Sequence, residues 1–193
     1  MEASKNRPVI LASASPRRKE LLAQLLDDFS IVPADVDEDA LTVSDPWETA
    51  TNLALAKARA VRGIHPEALV IGGDTVVALA ENRGHVQLTK PIDKDDAERI
   101  LRRLSGKTHV VITGVALVQP GLEKTFSETT RVKFRNLSDA EISAYVATGE
   151  PMDKAGAYAI QAGAEPFVLR VEGSLSNVIG LPLEELRRQL QML

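Results

Sequence analysis

Residues 9–22 read VILASASPRRKELL, an apolar run followed by small residues and then by a charged segment that contains leucines. The apolar run predicts a short buried strand. Ser15 suits the N-cap of a helix and Pro16 suits its first position, so we expect a helix to begin here. Leucines 21, 22, 25 and 26 would share one face of that helix.

Arg17 and Arg18 lie in the first turn of this expected helix, where the helix dipole favours carboxylates and disfavours cations. Two arginines placed against that preference need a compensating anion. Hydroxyl groups, free backbone amides and guanidinium groups gathered at one helix N-terminus are typical of a phosphate site. The alternative is a pair of solvated arginines at a surface turn.

The composition of the 193-residue chain is that of an ordinary globular domain, with 44% hydrophobic and 26% charged residues. A formal net charge of -4 provides no general attraction to nucleic acid or to an anionic membrane, so neither is expected as a partner. The absence of cysteine excludes disulfides, thiolate catalysis and cysteine metal sites. The three histidines, His65, His85 and His109, lack metal-ligand spacing, and each is predicted at the surface or in a turn.

The first seven residues lack the apolar segment of a signal peptide and are expected to form a loose tail. No apolar run approaches the ~18 residues that span a bilayer. A cytoplasmic, enzyme-like domain is therefore expected.

Helical and strand patterns alternate along the rest of the chain, without a repeat, low-complexity tract or linker. They predict strands near 29–33, 68–79 and 167–171, an acidic loop at 35–39, helices near 46–63, 94–105, 139–148 and at the C-terminus, and a hairpin of strands 109–118 and 124–134. The fold class is therefore predicted to be α/β: one domain over residues 1–193, with a twisted mixed sheet flanked by helices. The hairpin argues against a purely parallel sheet.

Asp74 follows Gly72-Gly73 inside the apolar stretch 69–77. An ionised carboxylate there is costly to desolvate unless it is paired, hydrogen-bonded or metal-bound, and the glycines allow another backbone or a ligand to approach closely. The position suits a metal-binding or water-activating acid. The alternative is a hairpin or bulge whose aspartate caps a neighbouring helix.

Three further charged residues are weak signals when taken singly. Glu38 belongs to an acidic run that is more often a solvated loop, Lys57 lies at the edge of an apolar helix stripe where lysines commonly extend to water, and Lys90 precedes a turn proline. Together, acids and bases at successive strand and helix ends are what a polyphosphate–Mg²⁺ site requires. The patterns GxxxxGK[ST] and GxGxxG are absent, which disfavours P-loop NTPases and Rossmann dehydrogenases.

Residues 150–161 read EPMDKAGAYAIQ, an Asp-Lys pair followed by small residues, an aromatic residue and an amide. This order predicts a pocket for a nucleobase, in which Tyr158 offers a stacking face and Gln161 offers both a donor and an acceptor. The alternative is a glycine-containing loop that enters a strand, with Tyr158 in the core.

Taken in order, these motifs resemble the Maf family of nucleotide pyrophosphatases, which is related in fold to the inosine-triphosphate pyrophosphatases. The resemblance covers essentially the whole chain and rests on the segments at 13–18, 37–38, 57–60, 73–77, 90–91, 104–106, 113–115, 134–135, 145–146, 153–158 and 180–183. One departure is the insertion-like stretch 81–87 before Lys90, which leaves the path of that hairpin open.

The resemblance implies hydrolysis of a nucleoside triphosphate to the monophosphate and pyrophosphate, as part of nucleotide-pool housecleaning. The segment 153–161 is similar to the branch that hydrolyses dTTP and UTP. A divalent cation (Mg²⁺ or Mn²⁺) held by Glu38 and Asp74 is implied, as is a homodimer. Asp74 would accept the proton of the attacking water or hold the metal that ionises it. The other implied site residues are Ser13, Arg17, Arg18, Lys57, Thr75, Lys90, Tyr158 and Gln161.

Two other functions stay open at this point. One is a pyrophosphatase for 7-methyl-GTP or another modified nucleotide. The other is a nucleotide-binding regulator of cell division or stress control without turnover, which would keep the arginines but need no catalytic acid or metal. The presence of Glu38, Asp74 and Lys90 beside the arginines favours an enzyme.

Overall fold

In a computed structural model the chain is described over residues 7–82 and 84–193. The first six residues of the loose tail expected at 1–7, and position 83 within the insertion-like stretch, lie outside the described residues. Arg7 donates a hydrogen bond from Nη1 to Oε1 of Gln119, which ties the start of the described chain to the sheet. Within the described ranges, no helix is long and apolar enough to cross a membrane.

The described strands form one mixed sheet in the order β2-β1-β3-β5-β6-β7, with β4 added to β3. Their bounds are β1 (Val9–Ala12), β2 (Ser30–Ile31), β3 (Leu69–Glu81), β4 (Gly84–Leu88), β5 (Thr108–Gln119), β6 (Leu122–Phe134) and β7 (Val168–Glu172). β1 pairs in parallel with β2 and β3, whereas all other pairs are antiparallel. The predicted α/β class with a mixed sheet is confirmed, and the predicted hairpin is β5–β6.

The helices begin where the sequence places capping residues. Their bounds are α1 (Pro16–Leu22), α2 (Glu38–Leu41), α3 (Pro46–Ile64), α4 (Lys94–Leu104), α5 (Asp139–Ala147), α6 (Leu175–Ile179) and α7 (Leu183–Leu190). Ser15 caps α1, Asp93 caps α4, and Ser138 forms a capping box at α5. Two local predictions differ: α1 ends at residue 22, before leucines 25 and 26, and the acidic run contains the short helix α2 instead of only a loop.

Alternate residues of the central strands pack on opposite faces of the sheet. Ile10 and Val70 lie under α3, while their chain neighbours Leu11 and Ile71 pack against α1 and α7. A further apolar cluster joins α4 and α5 to β3, β5 and β6. Helices therefore cover both faces of the sheet.

Helix α3 packs closely on the sheet because two strand positions lack side chains. A Cβ atom at Gly72 would lie 2.1 Å from the carbonyl oxygen of Ala54, and one at Gly114 would lie 2.3 Å from that of Ala50. A larger residue at either position would push the helix away from the sheet. The close approach brings Lys57 of α3 next to β3, and it confirms the prediction that Gly72 admits another backbone.

The sheet is split along one edge of β3. β1 pairs with β3 only as far as Ala12, opposite Gly72, and β4 pairs with it only from Leu88, opposite Val77. Residues 73–76 pair with β5 on their other edge, and no described strand pairs with them at the split. The carboxyl ends of β1 and β4 therefore face each other across the split, and ligands commonly bind in crevices outside such strand ends.

The expectation that every histidine lies at the surface or in a turn is wrong for His109. Its side chain on β5 is 1% exposed, its Nε2 lies 2.8 Å from the hydroxyl of Tyr158, and its ring packs edge-on against Phe134. Burial lowers the pKa of His109 to about 3. β5 is an interior strand, so its first residues are already covered by the core, which a local turn pattern does not reveal.

Candidate active site

A cavity of about 370 Å³ opens at the split in the sheet. Nine of the ten site residues expected from the sequence line it: Arg17, Arg18, Glu38, Lys57, Asp74, Thr75, Lys90, Tyr158 and Gln161. The tenth, Ser13, is buried directly behind Arg18. We call the wall formed by Ser13, Arg18, Lys57, Asp74 and Thr75 the strand side, and the wall formed by residues 153–161 the turn side.

The split lets both faces of the sheet contribute to one cavity. Asp74 and Thr75 are consecutive strand residues, so their side chains leave β3 in opposite directions. Asp74 accepts a hydrogen bond from Lys57 of α3, whereas Thr75 accepts one from Arg18 of α1. In an unbroken sheet a neighbouring strand would separate these two groups.

Arg18 is held by three neutral acceptors. Its Nε donates to the carbonyl oxygen of Gly180 at 2.8 Å, Nη1 to Oγ of Ser13 at 3.2 Å, and Nη2 to Oγ1 of Thr75 at 3.0 Å. Burial lowers the pKa of Arg18, and the nearby carboxylate of Asp74 opposes this effect; the guanidinium nevertheless remains charged at neutral pH. A desolvated cation that bonds only neutral groups is a strong binding site for an anion.

Arg17 strengthens this site because it is a second cation in the lining of the same cavity. Its charge further lowers the pKa of Arg18, and no ion pair to a described carboxylate compensates either guanidinium. A bound polyanion would relieve the repulsion between them. The sequence-based prediction of an anion site at these arginines therefore has a geometric basis, although α1 itself spans only seven residues.

Lys57 joins two carboxylates across the cavity. Its Nζ lies 2.6 Å from Oδ1 of Asp74 and 2.7 Å from Oε1 of Glu38. The Lys57 and Asp74 side chains are only 12% and 14% exposed, so Lys57 points inward instead of extending to water. The Lys57 hydrogen bond holds the pKa of Glu38 below its usual value, and the charge of Lys90, 3.8 Å away, acts in the same direction.

The carboxylates in the cavity are compatible with a divalent cation whose remaining coordination positions are filled by a bound ligand. Among the described residues no group of three or more metal-ligating side chains occurs. Glu38 and Asp74 are two carboxylates that converge on one positive charge, the ammonium of Lys57. Mg²⁺ is commonly bound by one or two carboxylates together with water and substrate phosphates, so these residues fit such an ion.

The turn side is built from short turns instead of strands. Gly156 has a φ of 72°, and a Cβ atom there would lie 2.8 Å from Cγ1 of Val77. Ala157 also has a positive φ, 57°, a conformation that alanine seldom adopts. Two consecutive left-handed residues fold this segment tightly against β3, which brings residues 158–161 to the cavity.

Tyr158 and Gln161 differ in their surroundings. Tyr158 is 6% exposed, bonds His109 and packs edge-on against Phe134, so its ring belongs to the core as well as to the cavity wall. Gln161 lies in the turn Ile160–Ala164 with an exposed side chain. The Tyr145 hydroxyl accepts a hydrogen bond from the backbone amide of Ala159, which anchors the turn that carries Gln161.

Sequence reasoning missed the Gly180 carbonyl that accepts from Arg18. A backbone acceptor carries no side-chain signal, although Gly180 lies within one of the motifs described above. Sequence reasoning also missed Thr113 and Asn177, two polar residues without exposed surface behind Thr75. Their types alone do not distinguish them from surface residues.

The family model described as "Maf-like protein" matches residues 8–193. Curated relatives that carry the name dTTP/UTP pyrophosphatase include the following three. The protein from Koribacter versatilis is 48% identical over 95% of this chain and 93% of its own length. That from Symbiobacterium thermophilum is 49% identical over 96% and 92%, and that from Myxococcus xanthus is 50% identical over 92% and 88%.

Among solved structures, a HAM1 protein from Coxiella burnetii matches with a TM-score of 0.57 and 15% identity, covering 97% of this chain and all of the other. At that identity the likeness bears on the fold alone, and it agrees with the single-sheet architecture. The family model and the curated relatives span nearly the whole chain. The chain therefore belongs to the Maf family.

Proposed function

We propose that this protein is a nucleoside triphosphate pyrophosphatase that hydrolyses dTTP and UTP to the monophosphate and pyrophosphate. The observation that carries the proposal is the strand side of the cavity: Arg18, desolvated and bonded only to neutral groups, faces a carboxylate paired with Lys57. Cations for a polyphosphate and an acid for water thus share one cavity. The names of the curated relatives support the same class of reaction.

In the proposed reaction a water oxygen attacks the α-phosphorus, and the bond between that phosphorus and the α,β-bridging oxygen breaks. The proton of the water passes to Asp74, or to solvent if Asp74 serves as a metal ligand instead, and pyrophosphate leaves with the electron pair of the broken bond. Arg17, Arg18 and Lys90 stabilise the charge that develops on the phosphate oxygens. Lys57 orients the Asp74 carboxylate through their 2.6 Å hydrogen bond.

The proposed enzyme requires a divalent cation, for which Glu38 and Asp74 are the protein ligands. Such an ion, when bound, supplies positive charge to the phosphate oxygens. Two roles are therefore open to Asp74, proton acceptor and metal ligand. They are separated by the Asp74→Asn experiment in the Discussion.

The preference for dTTP and UTP is proposed to arise on the turn side. Uracil and thymine present an acceptor, a donor and an acceptor at O4, N3–H and O2. The Gln161 amide can donate to O4 and accept from N3–H. Cytosine would place a donor against a donor, and once the base buries these groups the mismatch costs about 1–3 kcal/mol.

We further propose that the protein acts in the cytoplasm, in nucleotide-pool housecleaning, and as a homodimer. The dimer is tested by light scattering at micromolar concentration. A mass near twice the 20.9 kDa of the chain is expected. A monomer mass would contradict it.

The decisive experiment is an assay of the purified protein with Mg²⁺ across UTP, dTTP, CTP, purine triphosphates and 7-methyl-GTP. Pyrophosphate and monophosphate are expected in equal amounts from UTP and dTTP. Release of inorganic phosphate alone would instead show cleavage of the terminal bond. Binding without any product would indicate a nucleotide-binding regulator, and a preference for 7-methyl-GTP would overturn the turn-side assignment.

A further inference from the structure

A chain of two hydroxyl groups leads from the cavity wall at Thr75 into the core at Thr113, and the proposed reaction does not use it directly. Thr75 on β3 and Thr113 on β5 are paired across the two strands, and their Oγ1 atoms lie 3.0 Å apart. Thr113 Oγ1 in turn lies 2.9 Å from the backbone carbonyl oxygen of Asn177 on α6. The chain thus runs from the Arg18 guanidinium through β3 and β5 to the backbone of α6.

Counting the hydroxyl protons shows that the hydrogen bonds between these groups all run in one direction. The carbonyl oxygen of Asn177 can only accept, so the one hydroxyl proton of Thr113 is donated to it. Thr113 must therefore accept from Thr75, which uses the one hydroxyl proton of Thr75. The lone pairs of Thr75 are left to accept from Nη2 of Arg18. Every donor in the chain points away from the arginine.

Thr113 is itself held firmly. Its backbone amide donates to Oδ1 of Asn177 at 3.2 Å, and the Asn177 amide group donates to Val111 O and to Thr130 Oγ1. Thr113 and Asn177 have no exposed surface, so neither can touch a bound nucleotide. Buried polar groups in which every donor and acceptor is satisfied form rigid networks.

We propose that Thr113 is a positioning residue for Arg18. By accepting the Thr75 proton it keeps the Thr75 oxygen directed at Nη2, and this fixes the plane of the guanidinium that receives the phosphate charge. α6 holds the same guanidinium from its other edge, because Gly180, the residue that follows α6, accepts from Nε. Thr113 thus acts on the anion site through Thr75, without contacting substrate. The inference deepens the proposed function and rests on it only for the reaction that serves as one readout.

The test is Thr113→Val, which keeps the shape of the side chain and removes the acceptor. We expect kcat/KM for UTP to fall about tenfold, since a buried hydroxyl loses its partner and the guanidinium loses its fixed plane. The affinity for inorganic pyrophosphate, measured by calorimetry, should fall by a similar factor. Thr113→Ser keeps the hydroxyl and should restore both quantities to within about twofold of wild type.

Thr49→Val is the matched control. Thr49 is also buried and its hydroxyl is hydrogen-bonded to the backbone of Val43, but it bonds neither Thr75 nor Arg18. It should lower the melting temperature much as Thr113→Val does while leaving pyrophosphate affinity near wild type. Equal losses of affinity in the two valine variants would overturn the proposal, because they would show a general packing effect.

A double-mutant cycle shows whether Thr113 acts through Thr75. Thr75→Val/Thr113→Val should be no worse than Thr75→Val alone in pyrophosphate affinity, whereas additive losses would contradict the proposal. Thr113→Ala serves in the same cycle if Thr113→Val does not fold. A wild-type protein that binds pyrophosphate but does not hydrolyse UTP would refute the proposed function and leave these binding outcomes interpretable.

Discussion

The two sides of the cavity are built in different ways. On the strand side, Arg18, Lys57 and Asp74 are partly or mostly buried, and each is hydrogen-bonded to a group on another strand or helix. On the turn side, the chain passes through left-handed residues at 156 and 157, and Gln161 is exposed. Charged groups that must keep one geometry lie on regular elements, whereas the groups assigned to recognise the base lie on a turn.

The largest effect is expected from the strand side, in Asp74→Asn. The substitution keeps the shape and removes the charge, so kcat for UTP should fall by ~10²-fold or more. Asp139→Asn removes an exposed carboxylate on α5 and is the control. A variant with near-normal turnover would remove Asp74 from the mechanism.

The same variant separates the two roles of Asp74. Binding of Mn²⁺ is measured by electron paramagnetic resonance on wild type and on Asp74→Asn. Weakened Mn²⁺ binding indicates a metal ligand, because a neutral amide is a poorer ligand than a carboxylate. Unchanged Mn²⁺ binding with lost turnover indicates a proton acceptor.

His109, whose ring contacts the hydroxyl of Tyr158 on the turn side, makes the stability of the folded protein depend on pH. Burial lowers the pKa of His109 from 6.5 to about 3, so between these values the unfolded chain binds a proton that the folded chain does not. Stability is therefore lost as the pH falls below about 6.5, by about 2 kcal/mol at pH 5 from this residue. His109→Gln removes the titrating group and should lessen the decline in unfolding free energy between pH 7 and 5 by about that amount.

Urea unfolding at several pH values measures this effect. His85→Gln, at a partly exposed position on β4, is the control and should leave the pH dependence as in wild type. An unchanged pH dependence in His109→Gln would mean that His109 is not held neutral by the core.

The smallest effect is expected on the turn side, in Gln161→Glu. A carboxylate cannot donate to O4 of uracil, so kcat/KM for UTP should fall and the UTP/CTP ratio should narrow by roughly fivefold or more. Gln24→Glu, at an exposed position outside the cavity lining, is the control. An unchanged ratio would show that Gln161 does not read the base, while the strand-side chemistry would stand.

Local signals predicted the elements well. Ser15 marks the start of α1 as expected, and Asp93 and Ser138 likewise cap α4 and α5, because capping depends on residues within one turn. Close contacts at Gly72 and Gly73 were also predicted. Gly72 lies against α3, and Gly73 lies against the side chain of Arg18. The expected site residues come together, although their roles remain predictions.

Other features depend on residues far apart in the sequence. Lys57 looks like a solvated helix lysine in its local pattern, yet it bonds Glu38 and Asp74. His109 was expected at the surface or in a turn, yet it lies inside an aromatic cluster. In both cases the partners come from other strands or helices, so no short window of sequence contains the relevant information.

The sequence alone was sufficient for most of the longer elements and their order, the family resemblance and the set of charged residues, since periodicity, caps and motifs are short-range properties. Tertiary structure alone decided that β1 and β4 stop on either side of residues 73–76, which opens the sheet and lets Asp74 and Thr75 share one cavity. It also decided the path from Arg18 through Thr75 and Thr113 to α6. Strand register and buried hydrogen bonds join distant segments, and they exist only once the chain has packed.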